Sequence, residues 1–270
     1  MIRGSSELLS APQLINRTAM VLFCIIRITG LRKAEMKKLF VLLRQGNIEE
    51  VDKIITARPE LLDCVAGPSP KKDHGQSLLQ VALKSGNLAI ADYLIDKGIN
   101  VDFMEAEDDD PGLRAPVLFD AITAAIDSLC INQFSTQEQI QNRFEKSEQA
   151  LCLLRKIIAN GADVNKRSSN GMSALNWSLH HAEMIMRNAV IYPFSQKKVR
   201  ETLECILDLL IDHGADYKAW FEEGLYPEPC PGPSMKAIYL DKETSEPGIN
   251  YEAVREMRSY IQAYVQNRSL

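Results

Sequence analysis

The 270-residue sequence lacks the short motifs that identify the common enzyme classes. It has no phosphate-binding loop, dinucleotide fingerprint, His-Glu-x-x-His motif, nucleophile elbow or kinase signature. Each of these motifs places reactive or phosphate-binding groups through a defined local geometry. We therefore expect neither a cofactor nor a metal, and the sequence favours a binding role over catalysis.

Long hydrophobic runs are also scarce. The longest run near the N-terminus covers 19–26 and stops at Arg27, whereas a membrane-spanning helix needs about 20 apolar residues. A signal peptide is an alternative, but basic residues follow the run where small residues would mark a cleavage site. We expect no membrane partner and a cytoplasmic protein, with secretion or delivery into a host cell as the alternative.

No surplus of positive charge is present. The net charge is −5, and the basic residues are scattered rather than collected in the stripe that nucleic-acid binding requires. We therefore expect no nucleic-acid partner.

The six cysteines are far apart and form no Cys-x-x-Cys pair, which favours a reducing compartment over a disulfide framework. Cys152 and Cys205 each precede an apolar helical run, so we expect both to be buried as small hydrophobic residues. An alternative is a small thiol-dependent enzyme on a helical scaffold, with Cys152 or Cys205 as nucleophile and His180 or His181 as base.

Residues 153–179 contain a helix, its end, a turn and the start of another helix. Leucine and isoleucine recur at helical spacing in 153–158. Gly161 follows where a helix commonly ends in a left-handed residue. The turn residues 170–171 come next, and Ser173 can cap a new helix. The stretch predicts a helix-turn-helix unit.

Parts of this unit recur along the chain. Further helix starts lie at 77–82 and 116–121, and the exit pattern Gly-x-Asp/Asn-Val/Tyr occurs at Gly98, Gly161 and Gly214. The pattern resembles the ankyrin repeat, whose second helix ends in Leu-Leu-x-x-Gly-Ala-Asp-Val-Asn and whose next turn carries Gly-x-Thr-Pro-Leu-His. The resemblance implies an all-α, ankyrin-type helix-turn-helix solenoid of about five helix pairs.

The resemblance divides the chain into segments. We expect an N-terminal extension that is non-native or disordered, ankyrin repeats over 36–220, a proline-rich connector and a C-terminal capping repeat. A natural chain start at Met36 and the one-sided apolar pattern of 250–267 support the two ends. The predicted segments are 1–35, then repeats at about 36–64, 73–102, 115–165 and 170–218, then 221–233 and 234–270.

Two insertions make these repeats longer than a usual ankyrin repeat. The exit glycines lie 63 and 53 residues apart, whereas an ankyrin repeat occupies about 33. The excess falls partly around 127–148 and 184–200, where the pattern Ile-x-x-Phe-Ser occurs twice. We expect Ser135 and Ser195 to cap long second helices, with Ser135 and Glu138 forming a capping box.

An acidic run follows Gly98, in the turn that projects as a finger in ankyrin proteins. We expect a basic protein partner to contact this finger, together with the aromatic residues of the insertions. The chain would be a non-catalytic, bacterial protein-binding module, such as an adaptor, immunity protein or secreted effector, of unknown oligomeric state. The predicted contact residues are Asp102, Glu105, Glu107, Asp108, Asp109, Asp110, Phe134, Tyr192 and Phe194.

Overall fold

The computed structural model describes residues 34–106, 113–132, 134–187 and 193–217, and five helical positions between 259 and 267. The regular elements within these residues are helices, joined by loops that contain two isolated β-bridges. The α-helices are α1 (34–45), α2 (Ile48–Ala57), α3 (Leu78–Lys84), α4 (Leu88–Asp96), α5 (Val117–Asp127), α6 (Gln137–Ala159), α7 (Ala174–Arg187) and α8 (Pro193–Asp212).

The helices stack in two layers. Helix α3 packs on α5 and α5 on α7, and we call this layer the inner helices. Helix α4 packs on α6 and α6 on α8, and we call this layer the outer helices. Each helix also packs on its partner within a pair, as α3 does on α4 and α7 on α8. A helix with one apolar stripe can bury it only against such neighbours. The described part of the chain is therefore an all-α solenoid of stacked helix pairs, as the sequence predicts.

The exit glycines end the outer helices as expected. Gly98, Gly161 and Gly214 have φ angles of 82°, 99° and 94°, in the left-handed region that glycine enters without a steric cost. Their N–H groups donate to carbonyls of the preceding helix, as in Gly161 N to Ile158 O at 3.0 Å. These glycines turn the chain from one repeat into the next.

Serine and threonine side chains start several helices. Ser173 accepts a hydrogen bond from Asn176 N at 3.2 Å, which confirms the predicted cap of α7. Ser77 and Gln80 form a capping box at the start of α3.

Two predicted caps are wrong. The cap of α6 is Thr136 with Gln139, one residue beyond the predicted pair Ser135 and Glu138. Ser135 instead belongs to the preceding turn, where its N–H donates to Asn132 O at 3.1 Å. Helix α8 begins at Pro193, so Ser195 lies inside its first turn and cannot be its cap.

The insertions lengthen the outer helices. Helix α6 has 23 residues and α8 has 20, whereas α2 and α4 have 10 and 9. At 1.5 Å per residue, α6 extends about 20 Å further than α4. The N-terminal half of α6 therefore projects past the inner helices.

Polar side chains tie successive pairs together. Asn87 Nδ2 donates to the carbonyls of Leu43 and Arg44 at 2.6 and 3.2 Å, satisfying the end of α1 from the second pair. Asn165 Nδ2 donates to Gly214 O at 2.9 Å and joins the exit at Gly161 to the exit at Gly214. Such bonds fix the register of one pair on the next.

The apolar core is continuous through the stack, and its largest fully buried side chain is Phe119 of α5. Tyr264, near the C-terminus, belongs to the same core and donates from its hydroxyl to Asp208 Oδ1 at 3.0 Å. This contact supports a C-terminal cap. The connector 221–233 and most of 1–35 lie outside the described residues, so the division into segments stays a prediction.

The first helix includes two residues ahead of Met36. Ala34 and Glu35 are helical, and Glu35 pairs with Arg58 at 2.7 Å. Among the described helices, none combines the length and apolar character that crossing a bilayer requires.

We predict that Asn87→Ala lowers the free energy of unfolding by about 1 kcal/mol, because it removes the side-chain donor to the part-buried carbonyls of Leu43 and Arg44 at the end of α1. Urea unfolding followed by circular dichroism measures this. Asn142→Ala, at an exposed position of α6, is the matched control and should change stability by less than about 0.5 kcal/mol. Equal effects of the two substitutions would contradict the bridging role of Asn87.

Candidate functional site

The inner helices line a groove with two distinct ends. Each inner helix begins beside a finger loop: a bridge between Met104 and Pro116 immediately precedes α5, and one between Val65 and Ser77 precedes α3. The same helices end at the turns that lead to α4 and α6. The groove therefore runs from a finger end to a turn end.

An open cleft of about 900 Å³ lies at the turn end, and we call it the insertion cleft. Its walls are the turn between α3 and α4, the C-terminal half of α5, and the projecting half of α6 with the loop before it. The volume is within the 300–1,000 Å³ typical of ligand sites. The residues lining it are Leu83, Lys84, Ser85, Gly86, Leu88, Asp120, Thr123, Ala124, Asp127, Ser128, Asn132, Phe134, Ser135, Gln139, Asn142, Arg143 and Lys146.

A buried charge cluster crosses the groove between α3 and α5. Lys84 Nζ lies 2.6 Å from Glu105 Oε1 and 3.5 Å from Asp120 Oδ1. Gln80 Nε2 donates to Asp120 Oδ2 at 2.9 Å and to Ala115 O at 3.1 Å. Glu105 Oε2 accepts from Ala115 N at 3.0 Å. The cluster fixes the finger to the inner helices.

The two ionisable partners on the helices have shifted pKa values. Burial raises the pKa of Asp120 to about 7, and the nearby Glu105 adds to this, while Lys84 and Gln80 act against it. Burial disfavours the charge of Lys84, but Asp120 and Glu105 outweigh burial and raise its pKa. The lysine therefore stays charged, whereas Asp120 takes up a proton near neutral pH.

A second polar network joins α5 to α7. Trp177 Nε1 donates to Thr123 Oγ1 at 2.9 Å, and Thr123 Oγ1 lies 3.5 Å from His181 Nε2. The other ring nitrogen of His181 lies 2.9 Å from Asp127 Oδ1. The Trp177 ring also packs against His181 and Phe119, with centroids 4.8 and 5.1 Å away. The network aligns two adjacent inner helices.

The hydroxyl, imidazole and carboxylate of this network are arranged in the order found in a hydrolytic triad. Thr123 and His181, however, lie in the interiors of α5 and α7, where backbone N–H groups are engaged by helix carbonyls. Backbone N–H donors for an oxyanion are therefore not free at these positions of the two helices. Thr123 also accepts a bond from an indole, so the geometry is that of a structural link.

The cysteines differ from the sequence prediction. Cys152 and Cys205 are exposed, not buried, because they occupy the solvent side of the outer helices. Cys130 is exposed as well, and burial raises the pKa of Cys64 to about 12. Cys152 shares a surface hollow with Asp92, Glu145, Glu148 and Lys156, and Lys156 is already paired with Asp92 at 2.5 Å, whereas a reactive thiol needs a positive environment. These surroundings do not favour Cys152 as a nucleophile.

The acidic finger is only partly described. Asp102 is half-buried and pairs with Lys166 at 2.7 Å. The Glu105 carboxylate is buried and engaged with Lys84, so it does not face a partner as the sequence predicted. Four predicted contact residues, Glu107, Asp108, Asp109 and Asp110, lie outside the described residues.

The three aromatic residues predicted as contacts are not all among the described residues. Phe134 lies at the mouth of the insertion cleft with 79% of its surface exposed. Tyr192 and the side chain of Phe194 lie outside what the structure describes. His213 follows the end of α8, and its Nδ1 lies 2.8 Å from Leu209 O.

The buried charge cluster and the network of Trp177 were not predicted from sequence. Asp120 interrupts an apolar helix start, and Thr123, Asp127 and their partners follow helical spacing, which could have marked α5 as a polar inner face. Their partners on other repeats are 40 to 58 residues away. In the described residues, no group of three His, Cys, Asp or Glu side chains could hold a metal ion.

In comparisons with known proteins, one repeat of the chain matches a family model. Residues 74–103 match the family model for the ankyrin repeat, and a search of curated proteins gives no match. Among solved structures, the chain is similar to the human ASB11 ankyrin repeat domain, at 13% identity over 81% of this chain and 96% of that one, with a TM-score of 0.29. It is also similar to a chain from Bdellovibrio bacteriovorus, in the complex of the predatory endopeptidase Bd0816 with immunity protein Bd3460, at 15% identity over 60% and 96%, with a TM-score of 0.21. At these TM-scores neither likeness transfers structural detail.

We predict that Asp120→Asn changes how stability depends on pH. A carboxyl whose folded pKa is raised binds protons more tightly in the native state, so its stabilising contribution is present at low pH and is lost as pH rises through about 7. Relative to the variant, the wild type should lose about 2–3 kcal/mol between pH 5 and pH 8. Urea unfolding of both proteins at the two pH values measures the difference. If the difference in unfolding free energy between the two proteins were the same at both pH values, Lys84 would fully compensate the burial of Asp120.

Proposed function

We propose that this chain is an ankyrin repeat protein and a non-catalytic module that binds one protein partner along its inner groove, because residues 74–103 match the ankyrin repeat and the neighbouring helix pairs continue the same stack. Ankyrin repeats generally mediate protein–protein interaction, and stacked repeats offer a long concave surface for it.

Phe134 is the observation that supports this proposal most. A phenylalanine side chain with 79% of its surface in water is unfavourable for an isolated protein, and aromatic residues of this kind mark interaction sites. The residue is held in place, because Phe134 N donates to Asn132 Oδ1 at 2.9 Å and Thr136 caps the helix that follows. An exposed aromatic ring at a cleft, on a backbone held in this way, is suited to anchor a partner.

The finger end is the second part of the proposed surface. Asp102 and Glu105 use their carboxylates within the protein, so contact with a basic partner falls to 107–110, whose four acidic side chains follow one another in the sequence. Like charges so close together repel, and a cationic partner would relieve that repulsion.

The remaining assignments are proposals of the same kind. We propose a cytoplasmic location, because the cysteines show no disulfide framework. A thiol-dependent enzyme is the less favoured alternative, since acidic residues surround the exposed Cys152.

We predict that Phe134→Ala weakens capture of the partner by about tenfold or more, since a buried aromatic anchor is worth 2 kcal/mol or more in an interface. The partner is first isolated from the native organism with the wild-type chain as bait, and its affinity is then measured for both proteins. Ile48→Ala, at an exposed apolar position of α2, is the control. The melting temperature should not change for Phe134→Ala, because the ring makes few contacts in the free protein. Unchanged affinity would remove Phe134 from the interface.

We predict that replacing Asp108, Asp109 and Asp110 by asparagine slows association with the same partner and reduces its salt dependence. Charges at the rim of an interface act mainly on the association rate. Stopped-flow association at low and physiological salt measures this effect. An unchanged rate at low salt would show that the acidic finger does not face the partner.

A further inference from the structure

We infer that the insertion cleft binds an acidic segment of the protein partner, one that carries at least one carboxylate and one large apolar side chain. The inference rests on the proposed function, because it names the chemistry of the partner at the turn end of the groove. It differs from the contact at the finger end, where the partner would be basic.

The first argument is the arrangement of positive charge. Four residues of α6, Gln139, Asn142, Arg143 and Lys146, line the cleft at the spacing of one helix face. Arg143 and Lys146 are exposed, and among the described residues neither forms an ion pair with a carboxylate. Lys84, on the opposite wall, is already paired with Glu105 at 2.6 Å and lies 3.5 Å from Asp120.

The second argument is that the acidic residues of the cleft are already engaged. Asp127 pairs with the ring of His181 at 2.9 Å. Asp120 is buried and accepts from Gln80 at 2.9 Å, with Lys84 at 3.5 Å. Two cations of α6, Arg143 and Lys146, therefore face one half-exposed carboxylate, that of Asp127, whose charge His181 offsets only when its ring is protonated. Complementarity favours an anionic occupant, and the side-chain amides of Gln139 and Asn142 can donate hydrogen bonds to it.

The third argument concerns the apolar part of the wall. Leu83, Leu88 and Ala124 line the cleft, and Phe134 stands exposed at its mouth. An acidic residue alone would leave this surface in water, whereas a neighbouring leucine or aromatic side chain would bury it. The cleft thus fits a short segment in which acidic and apolar side chains are close together.

The test starts from the full chain and a phage-displayed library of random 12-residue peptides. We expect selected peptides to be enriched in Asp or Glu together with a large apolar residue. A selected peptide, synthesised with a fluorescent label, should bind more weakly at 200 mM than at 50 mM salt. Enrichment of basic or uncharged peptides, or no enrichment at all, would overturn the inference.

Charge reversal then locates the site. Arg143→Glu with Lys146→Glu should weaken peptide binding by about tenfold or more, because two attractive contacts become repulsive. The control is Arg155→Glu with Lys197→Glu, at exposed positions of α6 and α8 outside the cleft, which changes the net charge by the same amount and should leave affinity within about twofold. Equal losses in both variants would mean a nonspecific charge effect and would overturn the site.

The cysteines map the bound peptide without further substitution. Cys130 is exposed and lies between Ser128 and Asn132, which line the cleft, whereas Cys152 and Cys205 lie on the outer helices. Bound peptide should slow alkylation of Cys130, measured by mass spectrometry, and leave the rates of Cys152 and Cys205 unchanged. Protection of all three cysteines or of none would contradict binding in the cleft.

Other occupants give distinct results. If Glu222→Lys with Glu223→Lys raised peptide affinity about tenfold, an acidic segment of the chain itself would be the occupant. If the protein sedimented as a dimer that Arg143→Glu with Lys146→Glu dissociated, a second copy would be the occupant. Either result overturns the assignment to a partner.

A partner that binds the wild type and the Arg143→Glu, Lys146→Glu variant equally would refute this inference and leave the proposed function intact. Failure to capture any partner would refute the function itself.

Discussion

The fold depends on one constraint, which is that no helix pair of this chain can bury its apolar residues alone. Helix α5 shows it best, because Phe119 is fully buried while α3 lies on one side of its helix and α7 on the other. The free energy of the stack comes from such nearest-neighbour contacts rather than from a single central core. The pairs must therefore stack in one register, and anything that shifts a pair exposes apolar surface on both of its neighbours.

Polar groups across the junctions set that register. Asn87 satisfies carbonyls at the end of α1, and Gln80 reaches from α3 to Asp120 of α5. A buried polar group left without a partner costs more than the bond itself contributes, so these side chains penalise misplaced neighbours. The cluster of Lys84 with Glu105 has a second effect, because it ties the finger to the helices and removes two charges from the binding surface. Polar side chains at the junctions therefore fix the stacking register and also determine which charges remain at the surface.

The sequence predicted the features that depend on local chemistry. Gly161 ends α6 in a left-handed conformation and Ser173 caps α7, because both effects act within one turn of the chain. The predictions from sequence were wrong where burial or capping depends on which side of a helix packs against a neighbour. Cys152 lies in an apolar run but faces solvent, and the cap of α6 fell one residue later than expected, on Thr136. The link between Trp177 and Thr123 spans 54 residues, so no local pattern could have revealed it.

The long insertion before α6 is what distinguishes this surface from a plain stack of repeats. Extra residues in a surface loop add little closure entropy, but here they form helix, and a helix keeps its side chains at fixed positions. Helix α6 has 23 residues where α4 has 9, so its projecting half adds a wall to a groove that would otherwise be open at the turn end. That wall carries Arg143 and Lys146, whereas the acidic run of the sequence follows Gly98 and precedes α5. On the proposed function, lengthening one outer helix would therefore favour a single orientation of a partner whose charges are arranged in the opposite order.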